Sequence, residues 1–312
     1  MQTQGGFKAY YDRTLLPLLT ELDQERKGVV NKFLLFGTLG ILSGIVVLIT
    51  LGSAGFVLII GMPLILYLWL GGKVDMVKQR FKKEVMGRLI TAIDPSLQYE
   101  SHRFIPQTDY KKSKLFLGSF NRYNGDDLIY GTAGKTAIRF SELLIQMVTS
   151  SGKNTQTTTI FRGIFFIADF NKKFAGETFV VPDNAEKFLG SFGTMFQKMA
   201  VGRPPLVKLE DVAFEKEFCV YGTDQVEARY ILSPALMQRI MEFKNKSNHD
   251  ISISFIDSNI YIAISLWKNL FEAPLWQSMI NYDRMVEYYS YLRLCVGIVE
   301  VLDLNTRIWT KE

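Results

Sequence analysis

Five charged residues stand inside otherwise apolar runs: Arg139 and Glu142 within 135–149, Arg162 beside Phe161 and Phe165, and Glu227 with Arg229 just ahead of Tyr230. An unpaired buried ion costs several kcal/mol, so charges in such places face water or pair with one another. Structural pairing is the expectation, and a polar pocket or a partner contact is the functional alternative. The acidic stretch Asn124-Gly125-Asp126-Asp127 reads as a solvated turn, because it lacks the spaced oxygen ligands and distal glutamate of a calcium loop. A hydrolase would use carboxylates such as Asp126, Asp127 or Glu227.

Other chemistry is poorly supplied. Gly131-Thr132-Ala133-Gly134-Lys135-Thr136 ends like a phosphate-binding loop, but Ile129 holds the position of the first glycine. The next residues, Ala137 to Thr149, read as a strand and not as the helix whose N-terminus would face the anion. A tight turn between strands is the better reading. His102 and His249 are the only histidines, and no cysteines are paired in sequence, so a zinc or iron site would have to rest almost wholly on carboxylates. Cys219 and Cys295 lie 76 residues apart in apolar surroundings and read as small core residues of a reduced compartment. No G-x-S-x-G occurs, and neither histidine sits beside a nucleophile turn. No catalytic residue, metal or cofactor is therefore assigned.

The elements that must position these groups begin with a run of forty residues, Phe33 to Gly72, without Asp, Glu, Lys, Arg or His. A hydrocarbon core of ~30 Å takes about 20 helical residues, so forty is the length of two spans. Gly52, Ser53, Ala54 and Gly55 supply the turn, which predicts a transmembrane hairpin over 33–72. A secretory signal is set aside because 32 residues precede the run and no A-x-A pattern comes after it. Arg26, Lys27 and Lys32 precede the first span, and Lys73, Lys78, Arg80, Lys82, Lys83 and Arg88 follow the second. By the positive-inside rule both termini are cytoplasmic, in the inner membrane of a cell.

The net charge of +5 sits beside those spans. Residues 1–32 hold five basic and four acidic groups, residues 73–90 hold six and two, and residues 91–312 hold 25 of each. A basic footprint for nucleic acid is thus absent from the bulk of the chain. The six basic residues of 73–94 are the candidates for contact with membrane lipids. Val74, Val77, Phe81, Val85, Leu89 and Ile93 give that segment an apolar helical face, which either lies on the inner leaflet or packs as a stem against the N-terminal helix or the cytosolic domain. Residues 1–32 read as a cytosolic helix interrupted at Pro17, where it starts or kinks.

Residues 95–312 read as a cytosolic α+β domain, with a possible subdivision at 201–205. Strands are predicted at 135–149, 157–170, 178–181, 206–209 and 214–221, with a hairpin loop at 150–154. A helix is predicted from Asp183 or Asn184 to Met199, a short one after Asp224 and a firmer one from Ser233 to Lys246. Ile251, Ile253 and Phe255, then Ile260, Ile262, Ile264 and Leu266, alternate with polar or small residues, which predicts a hairpin with one buried and one wet face. Met285, Tyr289, Leu292, Val296, Val299 and Leu302 mark a closing helix. Antiparallel hairpins with separate helices argue α+β and not a parallel α/β sheet. The crowding of 23 Phe and 14 Tyr is core material that would also suit a lipid or peptide groove.

Several strings together resemble the bacterial family DUF3137. They are Tyr10-Tyr11-Asp12, Phe120 to Asp127, Gly134-Lys135-Thr136 with Phe140-Ser141-Glu142, Phe161 to Phe166, Val207 to Glu210, Gln225 to Tyr230, and Asn305 to Trp309. The resemblance implies a bacterial protein with a paired membrane anchor and a cytosolic domain, carries over no catalytic residue, and points to a LemA-type membrane protein as a partner. The leading expectation is a membrane-anchored cytoplasmic interaction module. The alternatives are lipid or amphiphile binding at the inner leaflet, in a groove beside the basic helix, and a carboxylate-based hydrolase.

Overall fold

Apolar residues at helical spacing carry the chain through Gln4–Tyr10 (α1), a wide π turn at Tyr11–Leu15, and Leu16–Leu51 (α2) as one continuous course. The computed structural model describes residues 4–51, 54–152, 154–170, 172–183 and 202–304. Pro17 neither starts nor stops this helix. A proline lacks an N–H and its ring crowds the carbonyl four residues back. In the turn just before it, the Leu16 N–H reaches five residues back to the Tyr11 carbonyl, and that widening lets the helix continue.

A second course runs through Ala54–Arg80 (α3), another π turn at Phe81–Met86, and Gly87–Ile93 (α4). Arg80 pairs with Glu21 and Glu25, the Tyr10 hydroxyl donates to the Arg88 carbonyl, and Arg88 donates to the Thr14 carbonyl. Rising numbers on one arm thus meet falling numbers on the other, and the arms are antiparallel. Gly52 and Ser53 of the expected turn lie outside the described residues.

The two arms form a unit with Phe271–Tyr289. Leu15, Leu19, Leu22, Phe81, Val85 and Leu89 are fully buried within it. Phe7 stacks on Tyr289 with centroids 4.3 Å apart, Tyr11 meets Tyr282 edge-on, and both Phe81 and Phe271 meet Tyr288. The apolar face of 74–93 is therefore packed as a stem against protein. Lys82, one of the six basic residues expected to touch lipid, is 8% exposed and pairs with Glu272 at 3.2 Å. A lysine's four methylenes can pack in a core while its ammonium meets a carboxylate.

The second unit, Asp94–Leu270 with Ser290–Glu312, is built on one eight-stranded antiparallel sheet. Its elements are Gln98–Glu100 (β1), Gln107–Lys112 (α5), Arg122–Ala133 (β2), Thr136–Ser151 (β3), Asn154–Asp169 (β4), Thr178–Pro182 (β5), Val212–Glu215 (α6), Phe218–Gly222 (β6), Gln225–Ile231 (α7), Pro234–Ser247 (α8), Ile251–Ile256 (β7) and Asn259–Ser265 (β8). The last helix, Tyr282–Val301 (α9), gives its first residues to the first unit and the rest to the second. Strand order is β1-β2-β3-β4-β8-β7-β5-β6. The architecture is α+β.

Long-range pairing overrides several local expectations. Asn124 to Asp127 is no turn but part of β2, opposite Leu144 to Glu142, with a bulge between Asp126 and Ile129. Asp127 adopts a φ of 57° there and is buried. The hairpin at 251–265 has no wet face, because side chains on both faces of β7 and β8 are covered by protein. Ser254, Tyr261 and Ala263 are as buried as Ile253, Ile262 and Ile264, and Ser254 donates to the Ser113 carbonyl. The expected strand at 214–221 opens as α6, because Asp211 accepts from the Ala213 and Phe214 N–H groups and caps a helical turn. Residues 206–209 contribute a single bridge, Leu206 to Tyr221.

The loop at 202–205 does not divide the sheet, since β5 before it pairs with β6 after it. The helix expected from 184 to 199 lies outside the described residues, as do Lys153 and Asn305 to Trp309. Helices α7 and α8 stand where expected, capped by Asp224 and Ser233.

Candidate functional site

The charges embedded in apolar runs are all engaged by protein partners, and the structure does not gather them into one pocket. Arg139, on β3, pairs with Asp109 of α5 at 2.9 Å. Glu142, also on β3 and 6% exposed, accepts the Leu270 N–H on both oxygens at 3.0 and 3.2 Å. Arg162, on β4, donates to Asn269 at 2.7 Å, so Glu142 and Arg162 grip neighbouring residues of the segment that leaves β8. Glu227 and Arg229 belong to α7 and not to a strand. Glu227 accepts the Ala175 and Gly176 N–H groups at 3.0 and 2.6 Å, and Arg229 donates to the Lys208 and Gln225 carbonyls.

Three carboxylates do converge. Asp126 lies directly opposite Glu142 in the β2–β3 pairing, the bulge turns Asp127 toward them, and one oxygen of each lies within 4.8 Å of the others. Like charges opposed across strands are destabilising on their own. Here the Leu270 amide answers Glu142 and the Tyr99 hydroxyl answers Asp127. An all-oxygen set suits a hard cation, but calcium takes six to eight oxygens, and the protein's own donors already use part of these three residues. The cluster is a carboxylate knot joining β1, β2, β3 and the exit of β8, and we assign it no metal. Glu227 is not part of it.

Sequence reasoning missed Arg203. It sits over the Phe179 ring at 4.9 Å and the Tyr221 ring at 5.9 Å and gives one N–H to the Leu115 carbonyl at 2.6 Å. Its Nε and Nη1 find no acceptor, and burial lowers its pKa to about 10. Within Gly-Arg-Pro-Pro only the loop character was readable, because the aromatic cradle comes from β5 and β6.

Polar groups of the first unit concentrate at the foot of the apolar run. Asp23, 1% exposed, accepts Arg26 Nε and the Met279 N–H at 2.9 Å each and pairs with Lys27 at 3.0 Å. Burial pushes its pKa up, but the Met279 amide, Arg26 and Lys27 outweigh that and hold it at about 2. Arg26 also donates to the Leu275 carbonyl at 3.0 Å. Above it, Phe33 meets Trp276 edge-on with centroids 5.8 Å apart. Of the six basic residues proposed to touch lipid, Arg80 is held by Glu21, Glu25 and Glu84, and Lys82 is buried on Glu272. Those carboxylates, Glu21 foremost, raise the Arg80 pKa further above its ordinary value. Lys73, Lys83 and Arg88 are exposed and Lys78 is half-buried.

Residues 159–304, most of the second unit from within β4 onward, match the model of the family described as "Protein of unknown function (DUF3137)". No curated protein matches the chain in sequence. Among solved structures, the crystal structure of the mycobacterial trehalose monomycolate transport factor A, TtfA, aligns over 70% of this chain and 96% of its own, at 9% identity and a TM-score of 0.30. At that level of likeness nothing is carried from it to this chain.

Proposed function

We propose that this chain, whose second half carries the match to a family of unknown function, is a membrane-anchored interaction protein. In this reading α2 and α3 cross the inner membrane as a two-span hairpin with both termini cytoplasmic, and the second unit meets a protein partner at the inner leaflet. One observation carries it. Gly6–Thr50 is a helix long and apolar enough to cross a membrane, and only 17% of its most apolar stretch is buried within the protein. Leu34, Leu35, Leu39, Leu42, Val46 and Ile49 are more than half exposed, as are Ile60, Leu64 and Ile65 on the other arm. An apolar surface that continuous on a soluble monomer would drive aggregation, and a bilayer removes it from water.

The absence of charge from 33–72 and the basic residues at both of its ends support the orientation. The interaction role is supported by a neutral sheet domain in which the embedded charges serve the fold. The amphiphile groove expected beside the basic helix has no observation of its own in its favour, because the apolar face of that helix packs on protein.

Extraction and co-purification test the reading. The full-length protein is expected to stay in membranes washed with alkaline carbonate, and tags at both ends are expected to resist protease in intact spheroplasts. In mild detergent it is expected to bring down a stoichiometric partner, for which a LemA-type protein is the first candidate to probe. Release by carbonate, or digestion of either tag, would remove the anchor. Recovery of the chain alone under several growth conditions would remove the interaction role.

A further inference from the structure

The segment that precedes α9 climbs α2 in steps. Its Met279 N–H is held by Asp23, its Leu275 carbonyl by Arg26, and its Trp276 ring lies against Phe33. At ~1.5 Å per residue, Asp23 and Phe33 are about 15 Å apart along the axis. The segment therefore rises from the buried carboxylate to the first residue of the uncharged run. The Trp276 indole stands at that height, yet it is 65% exposed although a neighbouring ring fixes it.

Water is a poor surrounding for the indole's apolar body, and hydrocarbon is a poor one for its N–H. The boundary between headgroups and acyl chains suits both. Lys32 precedes Phe33 in the chain. On the antiparallel arm, seven residues before Arg80, which is opposite Glu21 and Glu25, the exposed Lys73 comes to a similar height. A tryptophan with lysines at the end of an apolar helix pair is the composition of a membrane-interface belt.

We propose that Trp276 is a bilayer-interface anchor: the segment 272–281 docks on the phospholipid headgroup–acyl boundary and fixes the depth of the first unit. The occupant is the phospholipid bilayer itself, because the exposed indole is continuous with the apolar helix surface that begins at Phe33. The inference rests on the two-span reading and adds to it a lipid contact made by a residue more than 200 positions away in sequence.

Depth-dependent fluorescence quenching tests it. The four tryptophans are Trp69, Trp267, Trp276 and Trp309. The full chain with W69F, W267F and W309F keeps only Trp276, and the full chain with W267F, W276F and W309F keeps only Trp69, inside the second apolar run. Both are reconstituted in phosphatidylcholine–phosphatidylglycerol vesicles with or without bromine high on the acyl chains. Trp276 is expected to lose about half of its emission to brominated lipid and to be shielded from aqueous acrylamide. If Trp69 is quenched and Trp276 is not, the anchor is overturned while the two spans stand. If neither is quenched, both fail. An indole shielded from acrylamide yet untouched by bromine would mark a protein cover and also overturn the proposal. Subtraction of W276F from the natural chain gives the same readout should a triple variant fold poorly.

Discussion

Asp23 shows how a residue on an ordinary helical face becomes a fastening point. Its carboxylate is buried, and it holds one backbone amide and two cations together. The folded pKa of about 2 lies below the ordinary ~3.9, so the group contributes stability in full above about pH 4 and loses it as pH falls toward 2. D23N keeps an acceptor for Met279 but no charge for Arg26 and Lys27. It is expected to lower stability by about 2 kcal/mol at neutral pH, with the gap to the natural protein closing between about pH 4 and 2. Thermal unfolding of both proteins in detergent across that range checks this, and a gap independent of pH would contradict it. Nothing local in the sequence distinguishes Asp23 from its neighbours Glu21 and Glu25. The meeting of Glu142 with the Asp126-Asp127 pair, by contrast, was nearly within reach: counting outward from the turn at Gly134-Lys135 brings Asp127 opposite Glu142, and the bulge in β2 moves that place to Asp126.

Elements held where local rules and long-range pairing agreed. Asp224 and Ser233 cap α7 and α8 as the sequence predicts, because an N-cap depends only on residues within one turn. Strands β3 and β4 stand within a residue or two of the predicted runs at most ends, because β-branched and aromatic residues dominate them. The departures came where neighbours decide, as with the bulge in β2. Gly163 is such a place: its φ is +149° and an added Cβ would lie 2.0 Å from the Ile264 carbonyl oxygen of β8, the strand paired alongside it. G163A is expected to cost about 3 kcal/mol or more, while G152A, at an open turn with φ +60°, is expected to cost about 1 kcal/mol. Denaturant melts of the full chain separate the two, and equal costs would contradict the packing described for β4 on β8.

For the molecule as a whole, the sheet order makes β4, β8 and β7 the interior and leaves β1 and β6 at the edges. Hydrogen exchange is expected to be slowest at 251–256 and 260–264 and faster at Gln98–Glu100, whose strand is short and paired on one side only. A β1 protected as strongly as β7 would mean that its edge is covered by something further. The sequence by itself determined the membrane-length apolar run, the neutral charge of the bulk, the α+β class and the capped helices. Each of these comes from composition or from residues within a turn or two of one another. Only the tertiary structure decided that β5 enters between β7 and β6, that the central hairpin has no wet face, that Lys82 is buried, and that Trp276 stands beside Phe33. Those outcomes depend on which distant segments lie side by side, and such pairings leave no periodic trace along the chain.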